Sequence, residues 1–395
     1  MYSQATMNGF KKELTENILP FWIENMQDKE NGGFYGQIDG NDVLHPQANK
    51  GAILNARILW TFSSGYRILG KGEYLQMAQR AFDYITAHFL DKEYGGVYWE
   101  LDYKGNPVNT KKQTYVLGFM LYGFSEFFKA TGDDKALNLA KDFFSLIEEK
   151  CRDEKQGGYW EAFTREWQPI EDMRLSDKDA NEKKTMNTHL HILEPYTNLC
   201  RVWKDTRLYD AQKQLIDIFT DRILDKDTNH LNLFFDEGWN VKSTAISYGH
   251  DIEASWLLFE AAEVLNDNML LDKVKVISLN IANAASEGIQ ADGSMIYEKD
   301  GNHTDMERHW WVQAEAVVGF MYAYRNSRNL AYKEKASREW NYILNQMVDK
   351  ENGEWYWSRL DDCSVNRKDD KAGFWKCPYH NGRMCMEMIE HFGVD

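Results

Sequence analysis

An all-α barrel of two concentric helical layers, the (α/α)6 barrel of six inner and six outer helices, is the fold this sequence predicts. Three observations predict it. A glycine-rich turn, Asp28-Lys29-Glu30-Asn31-Gly32-Gly33, is echoed from Asp91, Asp153, Asp225 and Asp349, at intervals of 63, 62, 72 and 124 residues. The longest interval spans a degenerate copy near Asp292-Gly293, so the chain reads as six units of about sixty residues, a repeat architecture. Between turns, a segment apolar on most faces alternates with an amphipathic one, the pattern of buried and surface helices. Finally, the chain opens on an amphipathic segment and closes on an apolar one. The two ends complete each other only if the array closes into a ring, because an open solenoid needs polar caps at both ends.

After each turn comes a short alternating run, such as Phe34-Tyr35-Gly36-Gln37-Ile38-Asp39 or Gly96-Val97-Tyr98-Trp99-Glu100-Leu101-Asp102, which reads as a small β-hairpin at the repeat junction. The inner segments are 50–69, 112–131, 184–203, 247–265, 309–326 and 377–392, with small residues among large ones as in Val317-Val318-Gly319-Phe320-Met321. The outer segments are 73–89, 134–151, 207–224, 270–286 and 331–347, preceded by an opening helix at 5–26. Leu137, Leu139, Ala140, Phe143, Phe144 and Ile147 show the one-sided apolar stripe of this layer. An end-to-end repeat argues for one body over residues 1–395, with no domain boundary.

Composition narrows the function. A formal charge of −16 without a basic patch argues against nucleic acid or an anionic membrane as partner and for a neutral substrate. No basic-then-apolar leader opens the chain and no apolar run reaches membrane-spanning length, so a soluble, cytoplasmic protein is expected. Five cysteines, an odd number without framework spacing, read as reduced thiols. Cys377 and Cys385 frame a histidine but lack the paired spacing of a zinc site. The 14 tryptophans suit stacking on sugars, although helix packing accounts for most of them.

In such a barrel the inner helices all begin at one mouth, and unusual polar residues collect there: Arg57, Tyr115, Asn187, His191, His250, Glu253, Trp310, Glu315, Trp375 and His380. Asn187, His191 and Glu194 share one helix face. Pro195, in the same helix, frees the carbonyl of His191 and is expected to bend the helix there. His250 follows the helix-start signal Ser247-Tyr248-Gly249, and His380 stands two residues after Pro378. Both imidazoles therefore fall in first turns, where the helix dipole favours the neutral ring that a general base needs. Two such bases facing one carbon can remove a proton from one face and return one to the other. The bland alternatives are structural histidines and, for Arg57, Glu253 and Glu315, an ion-pair network between inner helices. Trp310 and Trp311 point about 100° apart on a helix, so one at most is expected to face the cavity. His45, His88, His230, His303 and His391 read as surface or loop residues.

The stretches Ser247-Tyr248-Gly249-His250-Asp251-Ile252-Glu253-Ala254-Ser255-Trp256, Trp310-Trp311-Val312-Gln313-Ala314-Glu315-Ala316 and Trp375-Lys376-Cys377-Pro378-Tyr379-His380-Asn381-Gly382-Arg383 resemble the N-acylglucosamine 2-epimerase superfamily. The resemblance extends along the chain, through Asn31-Gly32-Gly33-Phe34-Tyr35-Gly36, Arg57-Ile58-Leu59-Trp60 and Lys184-Thr185-Met186-Asn187. It implies the same barrel and reversible epimerisation at C2 of the reducing-end sugar of a β-1,4-linked disaccharide, without metal or nicotinamide. It further implies that His250 and His380 are the acid/base pair and that His191, Arg57, Tyr115 and Asn187 bind the ring-opening and enediolate oxygens. Glu253 would orient His250, and Trp310 and Trp375 would stack on the sugar. Competing readings are an aldose–ketose isomerase or N-acylglucosamine epimerase of the same superfamily, an inverting glycoside hydrolase using Asp251, Glu253 or Glu315, and a sugar- or protein-binding module. The loops 165–183 and 358–372 are expected to set specificity at the second sugar.

Overall fold

The computed structural model describes residues 3–393. The chain opens with α1 (Gln4–Lys12) and α2 (Leu19–Asn25), joined by a π-helical turn. Inner and outer helices then alternate: α3 (Ala52–Leu69) and α4 (Gly72–Tyr84), α5 (Thr114–Thr131) and α6 (Asp134–Leu146), α7 (Met186–Val202) and α8 (Thr206–Ile218), α9 (Tyr248–Glu263) and α10 (Asn268–Ala285), α11 (Trp310–Ser327) and α12 (Leu330–Tyr342), with inner α13 (Tyr379–His391) last. Along α3, Ala52 to Gly65 are buried without a break, and along α5 so are Thr114 to Phe127, which is what helices apolar all round require. The outer helices bury only a stripe, as Ala136, Ala140, Phe143 and Phe144 do in α6.

The ring closes. Each inner helix packs on the next, α3 on α5, α5 on α7, α7 on α9, α9 on α11 and α11 on α13, and α13 returns to α3 while α1 lies against it from outside. Ile38 and Ala372 exchange both backbone hydrogen bonds, at 2.8 and 3.1 Å, joining the first unit to the last. Among the described residues, six equivalent antiparallel bridges close the six turns: Gln27–Phe34, Leu90–Val97, Arg152–Tyr159, Leu224–Leu231, Ile289–Met295 and Val348–Trp355. In five turns the leading aspartate accepts the backbone N–H groups two and three residues on, an Asx-type turn that explains why aspartate opens the motif.

The junction strands have a second partner that the repeat pattern conceals. Glu100–Leu101 does form a hairpin with Pro107–Asn109, but it also pairs with Lys50–Gly51 of the preceding unit. The same cross-unit pairing joins Lys112–Gln113 to Ala162–Phe163, Lys184–Thr185 to Phe234–Phe235, Ala245–Ser247 to Glu298–Asp300 and Arg308–His309 to Ser358–Arg359. The expected inner segments thus begin a few residues too early: Lys50, Lys112 and Lys184 are in strands, because their backbones pair with the neighbouring unit before the helix starts. Several outer helices also end in a π-turn, as at Ile85–Phe89, Ile147–Cys151, Phe219–Ile223 and Ile343–Met347. Among the described residues no helix is long and apolar enough to cross a membrane.

Candidate functional site

Every inner helix begins at the same mouth, and there a cavity of about 370 Å³ is lined by Arg57, Tyr115, Asn187, His191, His250, Glu253, Trp310, Trp375 and His380. Glu315 lies beneath it and holds His380. The residues singled out from sequence therefore come together from six inner-helix starts. A second compartment of about 330 Å³ shares Leu175, Lys178, Asp179, Asn187, His250 and Tyr297 with the first, so the two form one groove beneath the 165–183 loop. Asp369, from the 358–372 loop, also reaches the lining.

The two first-turn histidines are held differently. His380 Nδ1 lies 2.7 Å from Glu315 Oε1. His250 Nδ1 lies 2.8 Å from Ser247 Oγ, so the helix-capping position is occupied by a serine whose hydroxyl serves the imidazole instead of a backbone amide. Ser247, not Glu253, orients His250; Glu253 is engaged elsewhere. Desolvation, reinforced by His191, pushes His250 down to about 3, and desolvation followed by the Arg57 and Arg383 charges holds His380 well below the usual histidine range. Both rings are neutral near pH 7. Trp311 stands between them, its ring 4.7 Å from that of His250 and 5.7 Å from that of His380. Both Trp310 and Trp311 line the cavity, against the expectation that one would turn inward, because at a helix end the cavity wraps the terminus rather than a single face. Gly249 makes room: a Cβ there would lie 2.6 Å from the Trp311 ring.

Below the histidines is a hub that sequence reasoning missed. Arg383, fully buried in α13, donates to Glu253 Oε1 at 2.6 Å and Glu315 Oε1 at 2.7 Å through Nη2, and to Glu194 and the Tyr379 hydroxyl through Nη1. Trp256 Nε1 donates to Glu315 Oε2 at 3.1 Å, and Glu194 Oε2 lies 3.0 Å from His191 Nδ1. Burial would raise Glu194, but Arg383, His191 and Tyr379 outweigh it and hold the carboxyl near 2. Burial and the neighbouring Glu315 raise Glu253 well above the usual range, and Glu315 is raised by burial too. Three carboxylates, Glu194, Glu253 and Glu315, share the single Arg383 guanidinium, and burial favours a proton on the Glu253–Glu315 pair. The ligand atoms of Glu253, Glu315 and His380 lie within 4.8 Å of one another, a cation-binding geometry in which the Arg383 guanidinium takes the cation's place. The signal that could have found the hub was available: an arginine near the start of an inner helix, three residues after His380.

Arg57 donates to the Tyr115 hydroxyl at 2.8 Å and lies 4.3 Å over the Phe119 ring, with its Nε buried and unpaired. Asn187 Oδ1, Trp310 Nε1 and Trp357 Nε1 are also buried without a protein partner. All four side chains line the same cavity. At α7 the helix continues through Pro195, and the freed carbonyl of His191 faces Gly118 of α5, where a Cβ would lie 2.2 Å from that oxygen. Close approach of two inner helices thus seats His191.

Of the histidines set aside, His230 is corrected. It is buried, with Nδ1 2.6 Å from Asp251 Oδ2, and that carboxylate also accepts the Leu231 N–H. A loop position gave no hint of a partner 21 residues on.

Two buried histidines held low, a carboxyl pair held high and unpaired polar atoms gathered at one cavity are the chemistry of a proton-transfer site. Residues 33–381 match the N-acylglucosamine 2-epimerase (GlcNAc 2-epimerase) family, and the chain belongs to it. It is 58% identical to the cellobiose 2-epimerase of Bacteroides fragilis, over 96% of this chain and 97% of that one. It is 42% identical to a cellobiose 2-epimerase of Ruminococcus albus, over 98% and 99%. A solved structure of cellobiose 2-epimerase from Bacillus thermoamylovorans superposes with a TM-score of 0.95 at 41% identity, covering 98% of this chain and all (100%) of that one.

Proposed function

We propose that the protein reversibly epimerises C2 of the reducing-end glucose of cellobiose, giving 4-O-β-glucosyl-mannose. The observation that carries this reading is the pair of neutral imidazoles at one cavity, each with Nδ1 bonded to a group that can either give or take a proton. Full-length identity of 58% to a cellobiose 2-epimerase supports the substrate.

The closed sugar has no acidic C2 hydrogen, so the ring first opens to an aldehyde, assisted by His191 and by Arg57, Tyr115 and Asn187 at the oxygens. With Nδ1–H donated to Ser247 Oγ, His250 presents a basic Nε2; with Ser247 donating instead, Nε2 carries the proton. Glu315 governs His380 in the same way, accepting Nδ1–H when ionised and donating to Nδ1 when protonated. One Nε2 removes the C2 proton. The C–H electron pair forms the C1–C2 double bond while the carbonyl π pair moves to O1, giving a cis-enediolate beside Arg57. Rotation about C2–C3 presents the opposite face, the second imidazole delivers its Nε2 proton to C2, and the carbonyl re-forms. When His380 is the donor, the Glu315 proton passes to its Nδ1. That imidazole stays neutral and the negative charge ends on the carboxylate, opposite the new imidazolium of His250. Trp310 and Trp375 stack on the sugar faces.

The hydrolase reading loses its carboxylates. Asp251 is bonded to His230, and the Glu253–Glu315 pair lies within 4.8 Å around Arg383, closer than the ~6.5–9.5 Å that an inverting pair needs for its water. Proton NMR with cellobiose in D₂O tests the proposal. A mannose-configured reducing end bearing deuterium at C2 is expected; a ketose would mean isomerisation at C1, free glucose would mean hydrolysis, and no change would overturn the substrate.

A further inference from the structure

The repeat itself points to two residues that serve the histidines from outside the cavity. Five residues after the leading aspartate, the first three turns have a glycine at positive φ: Gly33 at 62°, Gly96 at 70° and Gly158 at 80°. In these units a buried lysine in the strand just before the inner helix reaches the turn aspartate and the carbonyl of the preceding glycine, as Lys50 does with Asp28 at 2.7 Å and Gly32 at 2.8 Å. The fourth and sixth units depart from this pattern. Their inner helices are the ones that carry His250 and His380.

In the fourth unit the glycine position is His230, and its imidazole grips Asp251, the residue immediately after His250. In the sixth it is Glu354, which keeps a left-handed φ of 61° although it has a side chain, a conformation that an L residue holds only when its surroundings enforce it. The Glu354 carboxylate is fully buried and saturated. Oε1 accepts from Lys376 Nζ at 2.9 Å and Asn381 Nδ2 at 2.6 Å, and Oε2 from Trp22 Nε1 at 2.8 Å. Lys376 follows Trp375 and lies 5.5 Å over the Trp310 ring; Asn381 follows His380. The lysine that elsewhere ties the inner helix to the turn aspartate is thus redirected to Glu354, while Asp349 is taken by Lys371. The fifth turn has Ser294 at this place, and its inner helix is tied instead by Gln313, which accepts the Met295 N–H at 3.1 Å and donates to the Met295 carbonyl at 2.8 Å.

We propose that His230 and Glu354 are paired positioning residues for the reaction, each replacing a turn glycine in order to anchor the residue that follows one of the two histidines. Through Asp251 and Asn381 they set the first turns of α9 and α13, and through Lys376 Glu354 also seats Trp375 and Trp310. Neither touches the substrate.

The inference rests on the epimerase reading, and the test separates the two. Removing one partner alone leaves a buried charge and threatens folding, so the variants are Glu354→Gln with Lys376→Met, and His230→Gln with Asp251→Asn, each neutral and of similar size. Lys50→Met, at an ordinary clamp, is the comparison. Turnover of cellobiose, melting temperature and a crystal structure are measured for each. Both double variants are expected to fold, to lose about 100-fold in kcat with a smaller change in KM, and to show His380 or His250 displaced while the other inner helices superpose. Lys50→Met is expected to melt earlier with kcat within about twofold of the parent. Folded double variants with parental kcat and undisplaced histidines would overturn the proposal. A parent protein inert towards cellobiose would instead overturn the epimerase reading, and the crystallographic arm would still decide the positioning role.

Discussion

Two sets of buried charge hold this barrel, and they are built on opposite stoichiometries. At the first three junctions each lysine meets one aspartate and a turn-glycine carbonyl, with a second carbonyl, from Glu237, added at Lys184: Lys112, for example, lies 2.8 Å from Asp91 and 2.8 Å from the Gly95 oxygen. At the centre, one guanidinium is shared by Glu194, Glu253 and Glu315. The junction pairs are saturated and hold no exchangeable proton near neutrality, since hydrogen bonds keep Asp28, Asp91 and Asp153 low despite the desolvation that would raise them. The hub is oversubscribed, and burial favours a proton on its Glu253–Glu315 pair. Balanced charge fixes the chain, whereas unbalanced charge next to a histidine makes chemistry available.

The largest expected effect comes from breaking the site at its reactive edge. His380→Ala is expected to lower kcat by about 10²–10⁴-fold while far-UV circular dichroism stays unchanged; near-parental turnover would remove His380 from the mechanism. Breaking the hub is expected to act on the fold as well. Arg383→Met leaves three carboxylates without their shared cation and is expected to cost about 3–5 kcal/mol in urea unfolding. Addition of Glu253→Gln should recover part of that loss, because fewer charges then stay uncompensated.

The junctions should respond unequally. Lys50→Met strands Asp28, whereas Lys112→Met leaves Asp91 paired with Arg165 at 2.9 and 3.1 Å. The first is therefore expected to lower the melting temperature more than the second, and equal shifts would show that the clamp lysines act by packing alone.

The smallest effect is one of sign. His250 has a folded-state pKa depressed to about 3, chiefly by desolvation, so its contribution to stability is present above about 6.5 and is lost as pH falls towards 3. His230 is the reverse. Although desolvation would lower it, Asp251, with Glu287 3.4 Å from Nε2, raises its pKa above the ordinary value. Its contribution is fully present below about 6.5 and is lost as pH rises through the folded-state pKa. Replacing His250 with Asn should flatten the acid side of the stability–pH curve and replacing His230 with Asn the side above 6.5; the same change in slope for both would contradict the assignment.

What was legible in the chain follows from how local each signal is. The Asp-x-x-x-Gly-Gly turns announce themselves because an aspartate hydrogen-bonds its own next residues, and the inner and outer layers do so because apolar spacing repeats within each helix. His250 and His380 could be placed at the mouth from helix-start signals, and His191 from the helix face it shares with Asn187. The strand pairing between units was hidden, since Lys50 and Leu101 have no sequence feature that names each other. So was Arg383, whose meaning depends on glutamates from α7, α9 and α11 arriving at the same point.

By itself, then, the sequence determined the six-fold repeat, the two helical layers, the ring implied by its unmatched ends and the residue types gathered at the mouth, because these are properties of neighbouring residues and of period. Only the tertiary structure decided that Ser247 rather than Glu253 holds His250, that His230 is buried on Asp251, that both Trp310 and Trp311 face the cavity and that a single arginine gathers three carboxylates. Those are convergences of side chains from helices far apart in the chain, and the energy of a buried charge depends on which partners reach it.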